Sequence, residues 1–226
     1  MSAVAAMLEN EPLKELTRRP VTGDSPEVLT EIYQEETNIA IWQRTFSSEL
    51  TVAVDEFIRS TTRKKTVLAV TPENTRDELC KAFGATEAVE ALSEDVALLV
   101  EMFCALFGLK RAGLRLTELD RAMCPRFHVD RIPCRLITTY SGVGTQWLEH
   151  HEVDRTKLGT GNAGMSDETS GLFSDESKVM QLNHGDVALM KGELWDDHEG
   201  AGLVHRSPTL INGERRLIVT LDFIAE

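Results

Sequence analysis

The chain has 226 residues, of which 42% are hydrophobic and 27% charged, which is the composition of an ordinary globular protein. Its formal net charge of -13 argues against a nucleic-acid-binding surface. The most apolar stretch, residues 96–109, is too short to cross a bilayer, and the apolar start lacks the basic flank of a signal peptide. The four cysteines form no C-x-x-C pair, so we expect reduced thiols. We therefore expect a cytoplasmic protein with no nucleic-acid or membrane partner.

The first half of the chain predicts a loose beginning followed by helices and short strands. Residues 1–37 are polar and favour a loose or partly helical lead-in, and residues 38–226 are predicted to form a single domain. Short strands are predicted over 38–43 and 66–70. Capping residues and helical spacing predict three helices: Ser47 to about Arg59, Thr71 to Gly84, and residues 94–107 between a Ser93 cap and Gly108. The third helix is apolar almost all round, so we expect it to be buried, against a sheet or in a homodimer interface.

After Gly113 the pattern changes to short β segments. Strands are predicted at six places: 133–140, 145–148, 179–182, 186–191, 203–211 and 215–224. Residues 150–177 differ, because glycines are mixed with polar residues and no periodicity is present. Such a segment predicts a mobile lid or disorder. Helices followed by strands indicate an α+β fold in which the helices lie on one sheet of a two-sheet barrel.

The Asn-Gly dipeptide at 212–213 lies between two β-rich runs and is a strong hairpin signal. If these are the loop residues, His205 lies opposite Thr220, and Arg216 lies on the same face as His205. The other face of the second strand carries only apolar residues: Leu217, Val219, Leu221 and Phe223. That face is therefore predicted to pack in the core. The register predicts Arg216, and not Arg215, on the face of His205.

The sequence Cys-Pro-Arg-Phe-His-Val-Asp at 124–130 carries the candidate site. His128 and Asp130 are two apart in an extended chain, so their side chains point to one face and can share a cation. His205 is the best candidate for a third ligand. Two histidines and one carboxylate on one face of a metal leave open positions on the other face. That ligand set is the facial triad of non-haem Fe(II) oxygenases.

The order His128-x-Asp130, His205 and Arg216 resembles the iron- and 2-oxoglutarate-dependent oxygenases. This resemblance implies a double-stranded β-helix, the cupin-like jelly roll. It also implies iron held by His128, Asp130 and His205, and the far carboxylate of 2-oxoglutarate bound by Arg216. Over most of its length the chain also resembles a bacterial family of unknown function, a closer resemblance that implies no established activity. It rests on four segments: AIWQR at 40–44, CPRFHVD at 124–130, KGE at 191–193 and HRSP at 205–208.

The favoured interpretation is an oxygenase of this type that hydroxylates an unidentified small-molecule or protein substrate. Thr138 and Tyr140 share one face of a predicted strand and either hydrogen-bond the co-substrate or pack in the core. Arg216 has a structural alternative too, an ion pair with Asp222 or Glu214. Two other functions remain open. One is a metal-binding cupin-like protein, for instance with zinc in metal homeostasis, and the other is a non-catalytic binding module.

Overall fold

The computed structural model describes residues 17–62, 64–196, 200–211 and 213–224. Ten strands lie in these residues: β1 Arg19–Gly23, β2 Thr37–Trp42, β3 Lys65–Val70, β4 Ala112–Leu119, β5 Cys134–Ser141, β6 Gln146–Leu148, β7 Val179–Gln181, β8 Val187–Lys191, β9 Val204–Arg206 and β10 Arg216–Asp222. Three α-helices accompany them: α1 Ser48–Ser60, α2 Thr75–Phe83 and α3 Glu87–Phe107. Within the described ranges, no helix combines the length and apolar character needed to span a bilayer.

Two sheets organise these elements. The large sheet has seven strands in the order β1-β2-β8-β5-β10-β4-β3, and its pairs are antiparallel except for β1 with β2. The small sheet has three strands in the order β7-β6-β9. The predicted mixed α+β class is confirmed. Strands and helices alternate in the first half of the chain, however, so the expected order of helices first and strands second is wrong.

One face of the large sheet packs against the helices. Successive residues of a strand point to opposite faces, and on β10 the apolar set Leu217, Val219 and Leu221 points to the helix side. The helix α3 supplies four of the residues buried against that face: Val96, Leu99, Val100 and Phe103. Each such side chain contributes roughly 1.5–3 kcal/mol through burial. The predicted core side of β10 and the predicted burial of this helix against a sheet are both confirmed.

The opposite face of the large sheet is covered by the small sheet. An apolar cluster contains residues from both sheets and from their connections: Ile39, Ile41, Ile137, Trp147, Leu182, Ala188, Met190 and Leu203. Trp147 belongs to β6 and Ile137 to β5, so the two sheets face each other across this cluster. We call the region between them the inter-sheet space. On β10, the residues that alternate with the core set point toward it: Arg216, Ile218, Thr220 and Asp222.

Helix boundaries follow the capping chemistry, with two corrections. The helix predicted to start at Thr71 begins at Thr75 instead, after Asn74. Ser47 accepts a hydrogen bond from the backbone N–H of Leu50 and caps α1 as predicted. Gly108 ends α3 in the left-handed region at φ 64°, also as predicted. The predicted Ser93 cap is wrong, because Ser93 is buried inside α3. The helix begins earlier, where Thr86 accepts from the N–H of Val89.

The predicted loose lead-in is corrected where the structure describes it. β1 extends the large sheet by pairing with β2, and a 3-10 helix over Pro26–Tyr33 buries Leu29 and Ile32 in the helix-side core. The segment is polar on average, but its few apolar residues are spaced so that they pack into the core and fix its position. Residues 1–16 of the predicted lead-in lie outside the described residues.

The predicted hairpin between residues 203–211 and 215–224 is wrong as a strand pair. β9 pairs with β6 in the small sheet, whereas both edges of β10 are occupied by β4 and β5 in the large sheet. The chain therefore crosses from one sheet to the other between these strands. A tight turn does remain, because the N–H of Glu214 donates to the carbonyl of Ile211 at 2.9 Å. Asn212, the first predicted loop residue, lies outside the described residues.

Candidate metal centre

The structure brings together the three side chains that the sequence put forward as ligands. His128 and His205 form an isolated antiparallel bridge, in which each backbone N–H donates to the other's carbonyl at 3.0 Å. Nε2 of His128 lies 3.5 Å from Oδ1 of Asp130, and Nε2 of His205 lies 3.4 Å from Oδ2. One nitrogen or oxygen from each residue falls within 4.8 Å of the others. Three potential ligand atoms thus converge on one point.

Backbone carbonyls fix the protonation of the two imidazoles. Nδ1 of His128 lies 2.9 Å from the carbonyl of Arg126, and Nδ1 of His205 lies 3.2 Å from the carbonyl of Leu203. A carbonyl oxygen only accepts, so we assign the ring proton to Nδ1 in both residues. Each Nε2 then presents a lone pair toward Asp130. Orientation of a ligand histidine through its other ring nitrogen is the usual arrangement in protein metal sites.

The converging atoms fit a divalent cation. Two imidazole lone pairs and a carboxylate face one another, and a positive charge between them relieves the repulsion. Metal bonds of about 2.0–2.2 Å place neighbouring ligand atoms about 3 Å apart, close to the separations found here. Hydrogen bonding to Asp130 raises the pKa of His128, so without a metal the same position attracts a proton. The side chain of His128 is 34% exposed, which leaves the centre open on one side.

Asp130 is oriented by a partly buried ion network. Arg135 donates from Nη1 to Oδ2 of Asp130 at 2.6 Å, and two further nitrogens of Arg135 donate to the carboxylate of Asp222 at 2.7 and 2.9 Å. Burial alone would raise the pKa of Asp130. The adjacent imidazoles of His128 and His205, together with the charge of Arg135, instead hold that pKa well below its ordinary range. The carboxylate is therefore ionised and fixed in direction.

A carboxylate from the predicted lid braces both histidine-bearing segments. Asp167 is 3% exposed and accepts from Nε of Arg126 and from the backbone N–H of Phe127, both at 2.8 Å. Nη1 of Arg206 lies 3.4 Å from the same carboxylate. Apolar residues back the contact: Phe127, Leu148, Leu172, Phe173 and Val204. The middle of residues 150–177 is therefore packed against the site, so the expected alternative of disorder is wrong there, whereas a mobile lid stays a prediction.

Arg216 is buried in the inter-sheet space without an acidic partner. It is 1% exposed, and its Nη2 donates to Oγ1 of Thr145 at 2.6 Å and to Oγ1 of Thr139 at 3.2 Å. Its Nε is buried and makes no hydrogen bond, and no carboxylate within the described ranges pairs with it. Burial lowers the pKa of Arg216 to about 10. The neighbouring Arg215 is exposed and pairs with Glu118 at 2.6 Å.

Sequence comparison assigns the chain to a family. Residues 23–222 match the family described as "Protein of unknown function (DUF1826)". The chain belongs to this family. The predicted resemblance to a family of unknown function is thereby confirmed, although membership by itself assigns no activity. No curated protein matches the chain in sequence.

Several solved structures align with this chain over most of its length. The dioxygenase for auxin oxidation from rice has 10% identity and a TM-score of 0.49, over 92% of this chain and 83% of that one. The dioxygenase for auxin oxidation 1 from Arabidopsis thaliana, in complex with 2-oxoglutarate, has 9% identity and a TM-score of 0.47 over 93% of each chain. HygX from Streptomyces hygroscopicus with iron bound has 11% identity and a TM-score of 0.46, over 88% and 86%. Similarities this low do not assign a function, so the function of this chain is argued from its own residues.

Two predicted co-substrate residues are corrected. Thr138 and Tyr140 do share one face of β5, but that face is the helix side. The hydroxyl of Tyr140 donates to Asp95, and its ring stacks on Phe46 with centroids 5.3 Å apart. Thr139 is the β5 residue that reaches Arg216. Both faces of β5 are buried, so the alternation of its sequence could not show which one points to the site.

Three contacting residues escaped the sequence prediction. Arg135, Thr145 and Asp167 belong to no local motif, and each meets its partner through long-range packing. One sequence signal could have indicated the site. Arg135 and Thr139 are polar residues at alternate positions of the largely apolar strand β5, so they point to the same face of the sheet.

Proposed function

We propose that this protein is a non-haem Fe(II)- and 2-oxoglutarate-dependent oxygenase. The observation that carries the proposal is Arg216, a buried cation in the inter-sheet space that has no acidic partner among the described residues. The side chains of His128, Asp130 and His205 converge in the same region and leave one side of the centre open. Burying an unpaired charge costs several kcal/mol, so such a residue is expected where an anionic ligand completes it. In a metal-binding protein without an anionic co-substrate, nothing would compensate the buried charge of Arg216.

We further propose that the two sheets form a double-stranded β-helix. From β4 onward the chain alternates between the sheets: β4 is in the large sheet, the His128 bridge joins the small one, and β5 returns to the large one. β6 and β7 then lie in the small sheet, β8 in the large, β9 in the small and β10 in the large. This winding would bring the proposed ligands from the small sheet opposite Arg216 from the large sheet.

His128, Asp130 and His205 would hold the iron. Three protein ligands on one face suit Fe(II), because they leave positions for a chelating co-substrate and oxygen. When bound, the iron would activate O2, which is the oxidant, and 2-oxoglutarate would supply two of the four electrons as it is converted to succinate and CO2, the hydroxylated substrate supplying the other two. The contribution of Arg135 is to hold Asp130 in one orientation, since its guanidinium occupies one carboxylate oxygen and is itself fixed by Asp222.

Arg216 would bind the distal carboxylate of 2-oxoglutarate. Thr139 and Thr145 already orient Nη2, so little side-chain freedom is lost when the carboxylate docks. The inter-sheet cluster around Trp147 and Ile137 keeps the surroundings dry, and a charge pair gains strength in such surroundings. Arg216 therefore selects a dicarboxylate over a monocarboxylate of similar size.

The test is an anaerobic titration of Fe(II)-loaded protein with 2-oxoglutarate, following the visible metal-to-ligand charge-transfer band of the chelate. The native protein should show the band and saturate. Arg216→Ala should weaken binding by roughly 30- to 1,000-fold, the equivalent of about 2–4 kcal/mol for a buried charge-assisted pair. The matched control is Arg215→Ala, which removes an exposed arginine from the next position and should leave the titration unchanged.

Two outcomes would redirect the proposal. If the native protein binds iron but shows neither the band nor 2-oxoglutarate binding, the oxygenase proposal fails and the cupin-like metal protein becomes the better interpretation. Zinc is then the first metal to examine, because a three-ligand set with a carboxylate also suits catalytic zinc. If no metal binds in stoichiometric amount, a non-catalytic binding module is favoured instead.

A further inference from the structure

A second buried arginine without an acidic partner lies at the start of β1. Arg18 is 5% exposed, and its Nε and Nη2 are buried and make no hydrogen bond. Its one hydrogen bond within the described ranges runs from Nη1 to the carbonyl of the adjacent Thr17, at a long 3.4 Å. A guanidinium has five N–H donors and remains charged at any physiological pH. Most of the donors of Arg18 are therefore buried without an acceptor.

The same place holds an unpartnered histidine and a cavity. His150 follows β6, and its Nδ1 is buried without a hydrogen bond. A cavity of about 620 Å³ is lined by both side chains, together with Arg19, Glu149 and His151. This volume falls in the range of small-molecule sites, which is roughly 300–1,000 Å³. The lining residues do not include the candidate metal ligands or Arg216.

Two of the nearby carboxylates are paired with other arginines, and a third lines the cavity itself. Arg19 binds Glu36 at 3.2 Å, whereas Glu149 is the acidic residue in the cavity lining and lies 3.4 Å from His151. A second arginine close to His150, Arg155, pairs with Glu193 at 2.8 Å. These pairs leave the charge of Arg18 without compensation among the described residues.

The uncompensated charge affects its neighbours. Burial and then the charge of Arg18 lower the pKa of Lys191 to about 8. Burial, followed by the charges of Arg155 and Arg18, also lowers the pKa of His150. A neutral imidazole can carry its proton on Nδ1 and donate from it. The cavity lining thus holds two arginines against one glutamate, and the burial and nearby positive charge that lower the pKa of His150 favour the neutral imidazole, which can donate one hydrogen bond.

We propose that this cavity is a second ligand site, which binds the phosphate or carboxylate group of a small metabolite through Arg18 and His150. The anion accepts hydrogen bonds from Nε and Nη2 of the guanidinium in the parallel geometry that arginine offers to oxyanions, and a third bond from Nδ1 of His150. The site is separate from the proposed oxygenase chemistry and does not depend on it. An effector or a second substrate with one anionic group fits its size and charge.

The experiment is calorimetric titration of the metal-free full chain with inorganic phosphate and, in a parallel arm, with acetate, at constant ionic strength. We expect at least one probe to bind with one site per chain, and the stronger arm identifies the oxyanion. Arg18→Gln should weaken binding about 10- to 100-fold, because two charge-assisted hydrogen bonds are lost. The matched control is Arg59→Gln, which removes an exposed arginine of α1 that does not line the cavity and should change affinity less than about 2-fold.

Two further variants show which site holds the anion. Arg216→Ala should retain the binding, which separates this cavity from the inter-sheet space. His150→Phe should weaken it, and this variant decides the question if Arg18→Gln fails to fold. If neither probe binds more tightly than about 10 mM, the proposal is overturned. It is equally overturned if Arg59→Gln weakens binding as much as Arg18→Gln does, because the anion would then be held only by general positive charge.

Discussion

Replacing Arg216 with methionine should stabilise the ligand-free protein. Burial lowers the pKa of Arg216 from 12.5 to about 10, and each unit corresponds to about 1.4 kcal/mol, so the buried charge costs about 3 kcal/mol. The side chain is 1% exposed, so solvent screening does not reduce this cost appreciably. Methionine fills a similar volume without a charge. The substitution also removes the hydrogen bonds to Thr139 and Thr145, which together are worth about 1–2 kcal/mol. The expected net gain is about 1–2 kcal/mol.

Urea unfolding with and without 2-oxoglutarate measures this effect. Without the ligand and with a slope of about 2 kcal/mol per molar urea, Arg216→Met should unfold at a urea concentration roughly 0.5–1 M higher than the native protein. With Fe(II) and 2-oxoglutarate at 100 times its dissociation constant, the native protein should gain about 2.7 kcal/mol and the variant almost nothing. The order of stability should therefore reverse.

The matched control is Arg215→Met, which should shift the ligand-free curve by less than about 0.5 kcal/mol. The reasoning is refuted if Arg216→Met is less stable than the native protein without ligand and 2-oxoglutarate stabilises both equally. That result would mean that Arg216 is a structural residue whose interactions outweigh its burial cost.

Three further predictions concern other parts of the chain. His128→Ala and His205→Ala should each abolish stoichiometric metal binding, measured by elemental analysis after dialysis; full metal content in both variants would reject the centre. Asp167→Asn should weaken the affinity for Co(II), measured by visible absorption, because the buried carboxylate that joins the two ligand segments loses its charge. The control is Glu168→Gln on the exposed side of the same contact, which should leave the affinity unchanged. Equal affinities in the two variants would show that Asp167 does not support the metal centre. Burial lowers the pKa of Lys191 to about 8, so above pH 8 the unfolded chain binds the proton that the folded one has lost. Unfolding free energy should consequently rise by about 3 kcal/mol between pH 8 and 10.5 through this group alone, and Lys191→Met should remove that slope in urea titrations.

Local patterns predicted the local structure well. The Ser47 cap, the end of α3 at Gly108 and the core face of β10 each depend on residues within a few positions of one another. The same alternation separated Arg216 from Arg215, and their burial differs as expected. The grouping of His128 with Asp130 likewise follows from a spacing of two residues.

Partners chosen by long-range packing were not predictable. The hairpin signal at 212–213 gave the wrong pairing for β10, because β4 and β5 already occupy both of its edges. His205 still reaches the site, but through a bridge to His128 that no local spacing encodes. Asp167 could not be identified, since a lone aspartate in a polar segment looks the same whether it is solvated or buried.

The single backbone bridge between His128 and His205 also bears on how the protein is produced. It joins two segments far apart in the sequence through two hydrogen bonds, to which the N–H of Ser207 adds a third by donating to the carbonyl of Cys124. A metal ion bound by both imidazoles and Asp130 would bind the folded chain and not the unfolded one, and would therefore stabilise the folded state. Cells grown with ample iron should consequently yield more intact protein than metal-starved cells, because the metal-bound chain unfolds and is exposed to proteases less often.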